Sequence, residues 1–186
     1  MISGPSGGGK TTLVEQLRHR LPRLTRSISA TTRPPRPGER NGRDYRFVSP
    51  TMFQRLRRTG QLIEWAKVHG AYYGTPRRPI ERRMAQGRDV VLNIDVQGAK
   101  QVRRVLGHKA VLIFLMPPSL AHLKERLMRR RTDSPLAIRQ RLAVAKRELG
   151  CATWYDYTVT NDQLQHAVTR VETIIRSRNM TATRKG

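Results

Sequence analysis

A chain of 186 residues, 37% of them hydrophobic, is long enough to bury one real core, and 37 Lys+Arg against 13 Asp+Glu give it a net charge of +24. The longest apolar run, Ala110 to Met116, is far too short to cross a bilayer, and a single cysteine, Cys151, excludes an internal disulfide and suits a reducing cytoplasm. Aromatic residues at 5% exclude the stacking pattern of a single-strand nucleic-acid binder, although so basic a surface attracts polyanions without a specific site. The reading is a cytoplasmic protein with no membrane segment and no signal peptide. Most of its excess arginine is compositional bias and solvated helix faces, with non-specific nucleic-acid affinity as a side property.

In chain order the first feature is Gly4-Pro5-Ser6-Gly7-Gly8-Gly9-Lys10-Thr11, which satisfies G-x-x-x-x-G-K-[ST]. Glycines there let backbone N–H groups converge on phosphates, and the helix predicted from about Lys10 adds its positive N-terminal dipole. Lys10 would reach the β- and γ-phosphates of ATP, and the Thr11 hydroxyl would ligand Mg²⁺. Only Met1-Ile2-Ser3 precede this loop, where a strand of about five residues is usual, so the true start is expected upstream of Met1.

Leu13, Val14, Leu17 and Leu21 fall on one helical face. Residues 32–76 then break the rhythm. A Pro/Arg/Gly-rich stretch, Arg33 to Gly38, leads into short β-type segments at Tyr45 to Val48 and Leu62 to Trp65, and Tyr72 to Pro76 closes the region. This predicts a small mixed α/β insertion at the carboxyl ends of parallel strands. Val90 to Ile94, Ala110 to Met116 and Tyr157 to Val159 read as buried parallel strands, the second ended by Pro117-Pro118. Leu120, Leu123 and Leu127 form one helical stripe, and Leu164, Ala167, Val168, Val171 and Ile175 another. Strand and helix in alternation predict an α/β fold, a P-loop NTPase three-layer sandwich with a parallel central sheet. The expected division is a core of 1–31, 77–122 and 143–186, the insertion at 32–76, and a helical lid at 123–142.

Several blocks together resemble the guanylate kinase family, in that family's order and over nearly the whole chain. Ser29 to Glu39 and the pair Asp44-Tyr45 look like its GMP-phosphate segment. Glu64-Trp65-Ala66 and Tyr72 to Thr75 look like its base-recognition segment. Asn93 to Gly98 is similar to its second acidic strand, Arg126-Leu127 through Arg141-Leu142 to its lid, and Asn161-Asp162 to its adenine-side motif. The resemblance implies transfer of the γ-phosphoryl group of ATP to GMP, and to dGMP as well, with Mg²⁺ as cofactor. It places Arg33, Arg36, Tyr45 and Tyr73 on the GMP phosphate, and Ser29, Glu64, Thr75 and Asn93 on the guanine side. Lys10, Arg33, Arg130 and Arg141 stand around the migrating group, Asn161 joins the loop at the ATP site, and Asp95 holds the metal through water.

The chemistry of these residues agrees with those roles. A phosphate dianion calls for guanidinium forks and hydroxyl donors. Guanine donates from N1 and N2, so Glu64 can accept both, whereas adenine N1 would face the carboxylate lone pair to lone pair. The attacking phosphate oxygen is already ionised, so catalysis needs positioning and charge neutralisation rather than a strong base. Asp95 can equally cap the helix that follows it.

Two positions depart from the family pattern. Asn93 stands where an acidic residue is usual, which predicts weaker GMP binding, and Arg131 stands where the lid normally has a glycine. The competing readings are a P-loop kinase on another phosphate acceptor such as ribose 1,5-bisphosphate, a silent binding module, and a basic nucleic-acid binder on a vestigial kinase fold. A monomer and a homodimer are both compatible with the sequence.

Overall fold

The computed structural model describes residues 1–68, 70–129 and 134–183, with side chains described through 179. The elements in chain order are β1 (Ile2–Ser3), α1 (Lys10–Arg20), β2 (Leu24–Arg26), β3 (Ala30–Thr31), β4 (Arg46–Phe47), α2 (Pro50–Arg58), β5 (Leu62–Val68) and β6 (Ala71–Pro76). They continue with α3 (Arg77–Ala85), β7 (Asp89–Val91), α4 (Val96–Leu106), β8 (Ile113–Met116), α5 (Leu120–Arg129), α6 (Pro135–Leu149), β9 (Tyr157–Thr160) and α7 (Leu164–Thr183). Two compact units result: Met1 with Arg23–Val111, and Ile2–Pro22 with Leu112–Gly186.

In the unit that begins at Ile2, β1, β8 and β9 form a parallel sheet with β8 in the centre. Ile113, Phe114 and Leu115 are consecutive and all buried, as a strand covered on both faces requires. Helix α1 adds Leu13, Val14 and Leu17, α7 adds Ala167, Val168 and Val171, and the two helices pack on each other. Strand β8 is shorter than the apolar run from Ala110. At Leu112 the backbone N–H donates to Asp156 Oδ2 (2.7 Å) and the carbonyl accepts from Asp156 and Tyr157, so regular pairing begins one residue later. Leu123 and Leu127 of α5 are fully buried with Ala145 of α6. The helix that opens the 123–142 segment is therefore anchored along one face.

The other unit carries a parallel pair, β2 with β7, and a mixed sheet in the order β4-β3-β6-β5. Strands β5 and β6 form an antiparallel hairpin, and Ala30, Phe53, Leu56 and Leu62 fill the core beneath it. Helix α4 is fixed to β5 by one side chain. Gln101 Oε1 accepts the Trp65 N–H (3.1 Å), and its Nε2 donates to the Trp65 carbonyl (2.6 Å). The strand expected through Ile94 ends at Val91, because Asp95 Oδ1 accepts the Gly98 N–H (2.8 Å) and starts α4 as its N-cap. Strands and helices alternate with parallel pairing in both units, so the class is α/β. No helix among the described residues is long and apolar enough to cross a membrane.

Candidate active site

The 4–11 loop joins β1 to α1 and is shaped by what its glycines exclude. Gly4 (φ 141°) and Gly9 (φ 91°) hold left-handed-region torsions. A Cβ would strike the Leu115 carbonyl at the first and the Asn161 amide at the second. Between them the Gly8 N–H closes a turn on the Pro5 carbonyl (3.0 Å). Pro5 is buried and Ser6 half-buried, and the Leu123 and Leu127 side chains back Gly7. Helix α1 has no side-chain cap and no acidic residue in its first turn, so no carboxylate of its own offsets the positive end of its dipole. Lys10 Nζ reaches back to the Gly4 (2.7 Å) and Pro5 (3.0 Å) carbonyls, and Thr11 is exposed at the second helical position. Asn161 is 4% exposed and donates from Nδ2 to the Gly8 carbonyl (2.8 Å), so its amide contacts the loop itself.

In the other unit the expected GMP residues gather into two clusters joined by β6. At the phosphate end, Arg33 Nε donates to the Tyr73 hydroxyl (3.2 Å), and its guanidinium carbon stands 5.5 Å from the Tyr45 ring centre. Arg33 Nη2 also meets both carboxylate oxygens of Glu39 at 2.9 Å. Burial pulls the Arg33 pKa down, but the Glu39 and Tyr73 hydrogen bonds outweigh it and raise the pKa overall. Burial chiefly pushes the Tyr45 phenol up, which keeps it a donor. Arg36 is exposed, and its backbone N–H donates to Glu39 Oε2 (2.7 Å).

At the base end, Thr75 Oγ1 donates to Glu64 Oε1 and lies 3.5 Å from Ser29 Oγ. The register explains the grouping. Ala30 faces Gly74 and Thr31 faces Tyr73 across the antiparallel pair, so Ser29 comes opposite Thr75. Tyr73 and Thr75 are two residues apart on β6 and therefore share a face, about 7 Å apart. Glu64 is 4% exposed. Burial pushes its carboxyl up to about 7, opposed by the Thr75 hydrogen bonds and aided by the negative charge of Asp95. Asn93 is half-buried just beyond β7 in the same unit.

Arg141 is half-buried on α6, while Arg130 and Arg131 lie outside the described residues. Asp95 caps α4; its water-mediated metal role is a separate matter.

Three residues that carry no role in the sequence reading belong to the sites by geometry. Glu39 bonds Arg33 and the Arg36 backbone. Arg126 donates to the Asn161 carbonyl (2.9 Å) beside Gly9, and Gly98 lies against Glu64. Each sits inside a block whose order matched the family, but nothing in the chain's periodicity marks it.

The description "Guanylate kinase" belongs to the family model that matches residues 1–178. The chain is 52% identical to a guanylate kinase of Gloeobacter violaceus over 94% of this chain and 85% of that protein. It is 50% identical to one of Thermosynechococcus vestitus over 94% and 91%. The crystal structure of guanylate kinase from Anaplasma phagocytophilum matches with a TM-score of 0.80 at 33% identity, over 97% of this chain and 86% of that one. A shikimate kinase from Bacteroides thetaiotaomicron, with a TM-score of 0.50 at 14% identity, shares the fold alone. With the glycine loop, the paired Arg33 and Tyr73, and the buried Glu64 each in the family's order, this chain belongs to the guanylate kinase family.

Proposed function

We propose that this protein transfers the γ-phosphoryl group of ATP to GMP, and to dGMP as well, yielding ADP and GDP or dGDP. The observation that carries the reading is the placement of a buried carboxylate acceptor, Glu64 with Thr75 and Ser29, one same-face step along β6 from the Arg33–Tyr73 cluster. That spacing suits a guanine edge at one end and a phosphate at the other. The 4–11 loop takes the ATP phosphates on its backbone amides and the N-terminal end of α1, with Lys10 swinging from the Gly4 and Pro5 carbonyls to the β- and γ-phosphates. Asn161 and Arg126 brace that loop. Arg33, Arg130 and Arg141 neutralise the charge that is shared as the group moves.

Mg²⁺ is the expected cofactor, and the donor set fits it. Among the described residues no group of three or more His, Cys, Asp or Glu side chains is placed to hold an ion. The Thr11 hydroxyl would ligand the ion and Asp95 would hold it through water, with phosphate and solvent completing the set, as a reluctantly dehydrating ion prefers. When bound, the ion neutralises β- and γ-phosphate charge.

An acceptor panel with ATP and Mg²⁺ tests the proposal: GMP, dGMP, AMP, UMP and ribose 1,5-bisphosphate. GMP should lead, with AMP and UMP lower in kcat/KM by about 10³ or more, because each leaves the buried Glu64–Thr75 pair mismatched. Turnover of ribose 1,5-bisphosphate without turnover of GMP would overturn it.

A further inference from the structure

Glu64 can select guanine only if its carboxylate is aimed, and a long side chain in a pocket has several rotamers available. The structure assigns that aiming to Gly98: we propose that the missing Cβ at this position is the seat of the Glu64 carboxylate, which makes Gly98 a specificity-determining position. This rests on the reading of Glu64 as the guanine acceptor.

Gly98 lies in the first turn of α4, an ordinary helical position where alanine is the better helix former. The backbone there gives no reason for glycine. Space does. A Cβ at Gly98 would collide with Glu64 Oε2 and stand 3.0 Å from its Cδ and 3.3 Å from Asp95 Oδ1. Helix α4 is held against such a collision by Gln101, three residues on and on the same face, which bonds both backbone polar groups of Trp65, the neighbour of Glu64. Val96, Ala99 and Val102 bury the inner face of the helix. The helix cannot readily back away, so the flexible partner must move. An added methyl group therefore leaves the fold in place and pushes the carboxylate off its line. On its other side the Thr75 hydroxyl holds Oε1. The carboxylate is thus gripped between a hydroxyl and a bare Cα.

Steady-state kinetics of Gly98→Ala in the full chain test this. The expected result is a KM for GMP raised about tenfold or more, a KM for ATP within about twofold of the parent, and an unlowered Tm. The preference for GMP over IMP, which lacks the 2-amino donor, should shrink as well. The same substitution is then placed on Glu64→Asp, whose shorter carboxylate no longer reaches Gly98. There it should add nothing to the defect of Glu64→Asp alone, a non-additivity that a packing defect elsewhere would not show. An unchanged KM for GMP in Gly98→Ala overturns the inference, and so does a fall in Tm with both KM values raised or a fully multiplicative double variant. If Glu64→Asp itself leaves the KM for GMP unchanged, the guanine reading of the site fails instead.

Discussion

In the 4–11 loop the groups that would meet phosphate are backbone amides and one lysine. In the 29–75 region they are side chains already bonded to one another. The first kind of site is specified by what must be absent: a Cβ at Gly4 or Gly9, a cap on α1, an acidic residue in its first turn. The second is specified by pairs, Arg33 with Glu39 and Glu64 with Thr75. A site of amides is ready before its ligand comes. A site of paired side chains carries a pKa, a competitor and a dependence on neighbours, and each can be perturbed separately.

The largest effect should come from the one side chain in the amide site. Lys10→Ala is expected to lower kcat for GDP formation by about 10³-fold or more, since its ammonium is the loop's mobile charge for the β- and γ-phosphates. GMP affinity, measured by calorimetry without ATP, should stay within about twofold, and the thermal midpoint should change little. Substantial turnover in this variant would mean that the loop does not hold the donor.

Glu64 sharpens the contrast, because no backbone site can titrate this way. Its pKa of about 7 lies above the 4.5 of the unfolded chain, so the folded state favours the neutral acid. That stabilisation is complete below pH 4.5 and disappears as pH rises through about 7; at pH 8 the buried charge costs about 3 kcal/mol. Glu64→Gln should therefore gain in Tm over the parent as pH goes from 5 to 8, while its KM for GMP rises about 10- to 100-fold. In the parent, the KM for GMP should climb as pH falls below 7, by up to about tenfold per unit, because guanine donates to the ionised form. The GMP phosphate itself titrates near 6, so the ratio of parent to variant isolates Glu64. A Tm difference that is flat with pH would refute the buried-charge account.

How much of this was readable beforehand follows the same divide. The loop and its helix are local patterns, and the structure has them within a residue or two of the sequence reading, while the strand read from Ala110 starts at Ile113 and ends at Met116 as expected. The ends that differ were decided by single side-chain bonds: that of Asp156 on the Leu112 N–H, from far along the chain, and the local cap of Asp95 on the Gly98 N–H in place of three more strand residues. Periodicity does not encode such bonds. Ser29, Thr75 and Tyr73 were nameable from family resemblance, but their convergence depends on the register of β3 against β6. Glu39 and Gly98 stayed silent because their part is played against another side chain, Arg33 or Glu64, across the fold. Some of the arginine excess also found structural uses. Arg20 bonds Gln165 and Thr169 on α7, and Arg176 pairs with Glu172.

The smallest expected effect concerns the competitor. Glu39 occupies Arg33 Nη2 with both oxygens, and the two side chains are only 15% and 20% exposed, so an arriving phosphate must displace a charge-assisted pair. Glu39→Gln keeps an acceptor for the Arg36 N–H but removes the charge. The KM for GMP should then fall about two- to fivefold at low ionic strength and by less in high salt, since a partly solvated pair is screened. The opposite outcome is equally informative. A higher KM would mean that the carboxylate holds the Arg33 fork in position and leaves with it rather than making way. The acceptor site would then be preorganised by its pairs in the same sense that the phosphate loop is preorganised by its amides, and the contrast between the two sites would narrow to the titration of Glu64.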